Sequence, residues 1–148
     1  MQSVAQNAQL GHQLAVTSAG RPAVWAGRII GGLTAALLIV DSAGKLLEVP
    51  PVIEGTRQLG YSPDVVFSLG VTLLACVLLY LIPRTSLLGA VLLTGYLGGA
   101  VATHVRVDNP LLTHTLFPTY VGALLWGALF LRDARLRTLL PWHQASRS

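Results

Sequence analysis

A chain of 148 residues that is 53% hydrophobic and only 11% charged has too little charge for a water-facing shell, since soluble domains carry about twice that share. Its mean hydropathy of +0.62 therefore reads as lipid-facing surface on a single domain. The net charge of +4 is modest, and no basic patch interleaved with aromatics marks DNA or RNA binding, so nucleic acid is not expected as a partner.

In chain order, residues 1–22 read as a poorly ordered cytoplasmic tail. No basic residue precedes Arg21, so no cleavable signal peptide is expected. A four-helix transmembrane domain is predicted over 23–140, with a polar cytoplasmic tail over 141–148.

The first span is expected at about 24–47. Its uninterrupted apolar stretch, Ile29 to Val40, is too short to cross a bilayer alone, so the helix carries Arg28 and Asp41 with it. Thr34, Asp41, Lys45 and Glu48 follow at spacings of seven, four and three, which places them on one face. Such a stripe on an oily helix should face other helices. Val49-Pro50-Pro51 ends it, because proline lacks a donor and restricts the residue before it. Val52 to Leu59 is short and mixed and reads as an interfacial helix, followed by a turn at Gly60-Tyr61-Ser62-Pro63.

The second span is expected at about 65–82, closed by Pro83-Arg84. It forms an antiparallel hairpin with the third, at about 86–104, which carries no charge from Thr85 to Thr103. Gly95 and Gly99 lie four apart, a spacing suited to close helix contact. Asp108-Asn109-Pro110 signals a turn. The fourth span is expected at about 113–131, with Pro118 in its first turns and Arg132, Arg135 and Arg137 beyond it. Cys76, the only cysteine, can make neither an internal disulfide nor a CxxC redox pair and reads as a packing residue.

Four spans put both termini on one side, together with Arg21, Arg28, Arg84, Arg132, Arg135, Arg137 and Arg147; only Lys45, Arg57 and Arg106 fall on the other. The positive-inside rule makes the first side cytoplasmic. The chain should therefore be a multi-pass protein of the inner (cytoplasmic) membrane.

This orientation gathers most of the acid–base side chains at the outer ends of spans one, three and four. The candidate ligand-binding residues are Asp41, Lys45, Glu54, Tyr96, Thr103, His104, Arg106 and His114. Tyr96, Gly99, Thr103 and Arg106 form a stripe expected to face Asp41. An unpaired carboxylate at the depth of Asp41 costs on the order of 2.5–3.5 kcal/mol on translocon scales, and Lys45 or Arg106 is placed to pair with it. The same groups also read as a structural ion pair and ordinary headgroup-level residues. Metal is not assigned: His104 and His114, ten apart, match no ligand spacing, and catalytic zinc usually has three protein ligands. An amphipathic molecule such as a quinone fits better, its ring between helices and its polar end near Tyr96, His104 and Asp41; imidazole suits proton exchange there.

The runs Leu81-Ile-Pro-Arg-Thr85, Leu92-Leu-Thr-Gly-Tyr-Leu-Gly-Gly-Ala-Val-Ala-Thr-His-Val-Arg106 and Leu131-Arg-Asp-Ala-Arg-Leu-Arg137 resemble the DoxX-like family of small bacterial integral membrane proteins. Pro50 to Gly55 and Leu59 to Pro63 are similar as well. The resemblance extends from Gly27 to Leu140 and implies an all-α four-helix membrane bundle. It also implies an accessory subunit of a membrane quinone-linked redox system, since relatives in the wider family belong to quinone-linked sulfur oxidation or membrane oxidoreductase assemblies. No cofactor motif suggests catalysis by this chain alone. The alternatives are a scaffold that recruits membrane oxidoreductase subunits, or forms a homo-oligomer, through the small-residue faces Gly95/Gly99 and Gly27/Gly31, and a small-solute carrier. The missing internal repeat speaks against the carrier.

Overall fold

The computed structural model describes residues 20–139, all helix and connecting turns with no strand among them; both predicted tails lie largely outside these residues. Helix α1 spans Arg21–Leu46, α2 Pro50–Gln58, α3 Val66–Leu81, α4 Ser86–Arg106, α5 Phe117–Arg132 and α6 Ala134–Leu139. A 3-10 turn at Pro63–Val65 leads into α3, and a single π turn at Leu111–Thr115 leads into α5.

Proline starts half of these elements. Pro22 opens α1, Pro50 and Pro51 open α2, Pro63 opens the 3-10 turn and Pro118 opens α5, where a missing N–H costs nothing. Pro83 acts oppositely: it forces Ile82 into an extended conformation (ψ 120°) and ends α3.

Three helices share one type of ending. After α1, α2 and α4 a residue turns into the left-handed region, at Glu48 (φ 49°), Gly60 (φ 80°) and Asp108 (φ 51°). The next amide reaches back five residues in each case: Val49 N–H to Gly44 C=O at 3.1 Å, Tyr61 to Thr56 at 3.2 Å, Asn109 to His104 at 3.1 Å. These Schellman closures satisfy the last carbonyls and turn the chain sharply at one end of the bundle. They also correct the expected stripe on the first span. Glu48 lies past the end of α1, in the left-handed turn, and so leaves the face shared by Asp41 and Lys45.

Four helices, Arg21–Leu46, Pro63–Leu81, Ser86–Arg106 and Leu111–Arg132, are long and apolar enough to cross a membrane. They form a ring in which α1 packs on α3 and α5, and α4 packs on the same two from the opposite side. Helices α1 and α4 thus stand on a diagonal. Leu73, Val77, Tyr80, Leu93, Leu125 and Leu129 are buried at the centre, while Leu33 (68% exposed) and Val40 (71%) stand outward on α1 as lipid-facing surface.

Two backbone approaches set this ring. A β-carbon at Gly89 would lie 2.2 Å from the Tyr80 amide nitrogen, so only glycine lets α4 lie against the end of α3. At Gly27 it would lie 2.7 Å from the Ala128 carbonyl oxygen, which makes Gly27 and Gly31 the α1–α5 seam. That pair is consumed inside the bundle and is no recruiting face. Tyr80 anchors the same region: its hydroxyl donates to the Leu125 carbonyl (3.1 Å), and the Arg132 guanidinium packs 4.6 Å from its ring centre.

Candidate functional site

Because α1 and α4 stand on a diagonal, the ring leaves a gap between them. Near the α2-bearing end this gap is a cavity of about 540 Å³. Leu37 and Leu38 of α1, Leu69 of α3, Leu97 of α4 and Phe117 and Val121 of α5 give it apolar walls, and Thr56 of α2 with Leu59 and Tyr61 of the turn after it close its end.

Glycine makes the room. Gly95 and Gly99 line the cavity, and a β-carbon at either would meet no atom within 4 Å. The expectation that these two bring helices into close contact is corrected within this chain: they remove side-chain volume from the face of α4 that looks across the diagonal.

The polar groups of the cavity come from both sides of the gap. On α1, Lys45 Nζ lies 2.5 Å from Asp41 Oδ1, an ion pair one turn apart. Lys45 is the more covered partner, its side chain 14% exposed against 45% for Asp41. On α4, Tyr96, Thr103 and His104 line the same cavity. The Thr103 hydroxyl donates to the Gly99 carbonyl (2.9 Å), so the Tyr61 hydroxyl, 2.9 Å away, donates to Thr103. His104 is oriented from the turn that follows it: the Asn109 amide donates to its Nδ1 at 2.8 Å, leaving Nε2 as the N–H of the neutral ring. The Thr115 hydroxyl in turn donates to the Asn109 carbonyl (3.1 Å), fastening that turn to the π turn before α5.

Five of the eight sequence candidates therefore surround one cavity: Asp41, Lys45, Tyr96, Thr103 and His104. The other three lie outside its lining. Arg106 donates to the Leu59 carbonyl (2.8 Å) and packs 5.8 Å from the centre of the Tyr61 ring, so it ties α2 and its following turn to α4. Asp41 pairs with Lys45 and not with Arg106. Glu54 is on an exposed face of α2, 4.0 Å from Arg57. His114 stands behind His104, ring centres 6.2 Å apart, with Thr113 at its Nδ1. Among the described residues no three His, Cys, Asp or Glu side chains converge.

Tyr61, Thr56 and Asn109 carry roles that sequence reading missed. Tyr61 sits in a stretch legible only as a turn, and the clue to it was the aromatic placed directly after Gly60. Asn109 reads as a turn residue in the sequence, yet an amide five positions after a histidine can reach back across a helix cap.

The model of the DoxX-like family matches residues 29–128, which takes in α1 from its third turn through most of α5. This chain belongs to the DoxX-like family. Comparison with curated proteins and with solved structures gives no match. The family match and the four apolar helices together make the chain a multi-pass membrane protein of helical-bundle type.

Proposed function

We propose that this DoxX-like protein is an accessory subunit of a membrane quinone-linked redox system, and that the cavity between α1 and α4 receives the quinone ring. The observation that carries the reading is the composition of that cavity: apolar walls from four helices, with the Asp41–Lys45 pair, Tyr96 and His104 on its lining. A volume of about 540 Å³ suits a single ring with its substituents. Quinone carbonyl oxygens only accept hydrogen bonds, so the ring needs donors near an otherwise oily slot. Tyr96 O–H, His104 N–H and Lys45 N–H are donors of this kind. In this reading the cavity end of the bundle faces the periplasmic side, as the distribution of arginine favours, and the membrane is the bacterial inner membrane.

The test is thermal unfolding of the purified protein in detergent with a short-chain quinone. The wild type should gain several degrees, and His104→Ala and Tyr96→Phe should gain less. If wild type and variants unfold at one temperature with and without quinone, the assignment fails.

A further inference from the structure

The charge of this protein is sorted by end. Asp41, Glu48, Glu54, Asp64 and Asp108, five of the six acidic residues, lie at the α2-bearing end, and Asp133 alone lies at the other. At that other end a second cleft, of about 340 Å³, is lined by Arg28 of α1, Leu81, Pro83, Arg84 and Ser86 of the α3–α4 turn, and Arg132, Asp133 and Arg135 where α5 passes into α6. Four arginines thus line one small space from three separate segments.

One oxygen of the single carboxylate there is taken by the backbone. Asp133 Oδ1 accepts the Arg135 amide N–H at 2.9 Å, which caps the start of α6. Among the described residues no carboxylate forms an ion pair with Arg28, Arg84 or Arg132. Arg132 is held in place by the core: Nη2 donates to the Tyr80 carbonyl (3.1 Å), and its guanidinium rests on the Tyr80 ring. Most of its N–H donors remain for another acceptor. Arg28 is steadied in the same way over Trp25, 5.7 Å from the ring centre. The α4 helix begins at Ser86 in the wall of this cleft, which adds the positive end of a 21-residue dipole.

We infer that this cleft binds a phosphate group, and that the phosphate is the headgroup phosphodiester of an anionic phospholipid. Planar guanidinium groups match phosphate oxygens two at a time. The position supplies the lipid: the cleft lies where α1, α3, α4 and α5 all reach their ends, the depth at which a bilayer presents its headgroups. The site is separate from the α1–α4 cavity, shares no lining residue with it, and stands whether or not that cavity takes a quinone.

The experiment titrates phosphatidylglycerol, phosphatidylcholine or inorganic phosphate into the full chain in neutral detergent and reads retained lipid by native mass spectrometry alongside unfolding temperature. The variant is Arg28→Gln with Arg84→Gln, which spares the Arg132–Tyr80 contact; Arg57→Gln, at the opposite end, controls for loss of a positive charge away from the cleft. Phosphatidylglycerol should be retained and raise the unfolding temperature where phosphatidylcholine does not. The double variant should bind it roughly thirtyfold more weakly, two cations at the scale of membrane-surface arginines, while Arg57→Gln binds as wild type does. Equal retention of the two lipids, or equal loss in Arg57→Gln and the double variant, overturns the site. Stabilisation by millimolar inorganic phosphate to the same extent as by lipid overturns the lipid assignment in favour of a soluble phosphate.

Discussion

The Tyr61 hydroxyl and the Thr103 side-chain oxygen, forty-two residues apart, lie 2.9 Å from each other. With Arg106 donating to the Leu59 carbonyl, this contact fastens the α2 segment over the end of the α1–α4 cavity. Hydrogen bonds between membrane segments contribute about 0.6 kcal/mol on average and up to about 1.7. Tyr61→Phe keeps the ring under Arg106 and removes only the hydroxyl, and Thr103→Val removes its partner. Each single variant should lose about 1 kcal/mol in reversible denaturant unfolding, and the double variant should lose clearly less than the sum. Hydrogen exchange should rise across Pro50–Gln58 in both. Additive losses with unchanged exchange there would show that the latch holds nothing.

Glycine has opposite uses along α4, and alanine separates them. Gly89→Ala drives a β-carbon into the Tyr80 backbone, which is not the movable end of a side chain. The α3–α4 hairpin has to open, at a cost of about 3 kcal/mol or more. Gly98→Ala meets no atom within 4 Å and gains helix propensity, about 1 kcal/mol at most. Unfolding temperatures should therefore move in opposite directions, with Gly27→Ala following Gly89→Ala because its β-carbon meets the Ala128 carbonyl.

That division marks where sequence reading stopped. Four spans were legible because three are apolar runs near bilayer length and the first reaches that length by carrying Arg28 and Asp41, with proline or arginine close to the ends, and the all-helical bundle follows from them. The polar rim was legible because hydrocarbon leaves so few places for Asp41, His104 or Arg106. Which glycine pair packs and which leaves space was not, since Gly27/Gly31 and Gly95/Gly99 share one spacing and differ only in what stands opposite. Setting α1 diagonal to α4 turns the second pair into a cavity wall. Glu48 was misplaced for a local reason: helical periodicity carries no sign that the chain enters a left-handed turn after Leu46, as glycine would have given. Arg106 ends α4 and bonds the Leu59 carbonyl, because a guanidinium reaches a neighbouring backbone carbonyl as readily as a carboxylate.

Two of the three Schellman turns use a residue with a β-carbon where glycine is preferred. Holding a non-glycine residue left-handed costs roughly 1 kcal/mol. Glu48→Gly and Asp108→Gly should each stabilise the protein by about 0.5–1 kcal/mol, less whatever the greater freedom of the unfolded chain takes back. The reverse change, Gly60→Ala, should destabilise by more than either gain, because its β-carbon also comes within 3.0 Å of the Arg106 guanidinium. Thermal unfolding of the three variants in one detergent orders them.

The ion pair of α1 separates a membrane setting from an aqueous one. In water an exposed pair one helical turn apart contributes about 0.3–0.5 kcal/mol, so Lys45→Met and Asp41→Leu would each be nearly silent. In a bilayer, Lys45→Met leaves the Asp41 carboxylate alone some five residues inside the end of α1, where a single charge costs up to the roughly 2.5–3.5 kcal/mol found at a helix centre. Removing both partners leaves no charge to desolvate and restores much of that loss. Reconstituted in lipid, Lys45→Met should thus be the least stable of the set, Asp41→Leu intermediate because the lysine stem can extend toward the headgroups, and the double variant close to wild type. Moving the same proteins into a small, water-permeable micelle should compress the differences. A flat series in lipid would mean that water fills the cavity as far as Asp41, and the apolar slot proposed for the quinone would then be too wet to hold a ring.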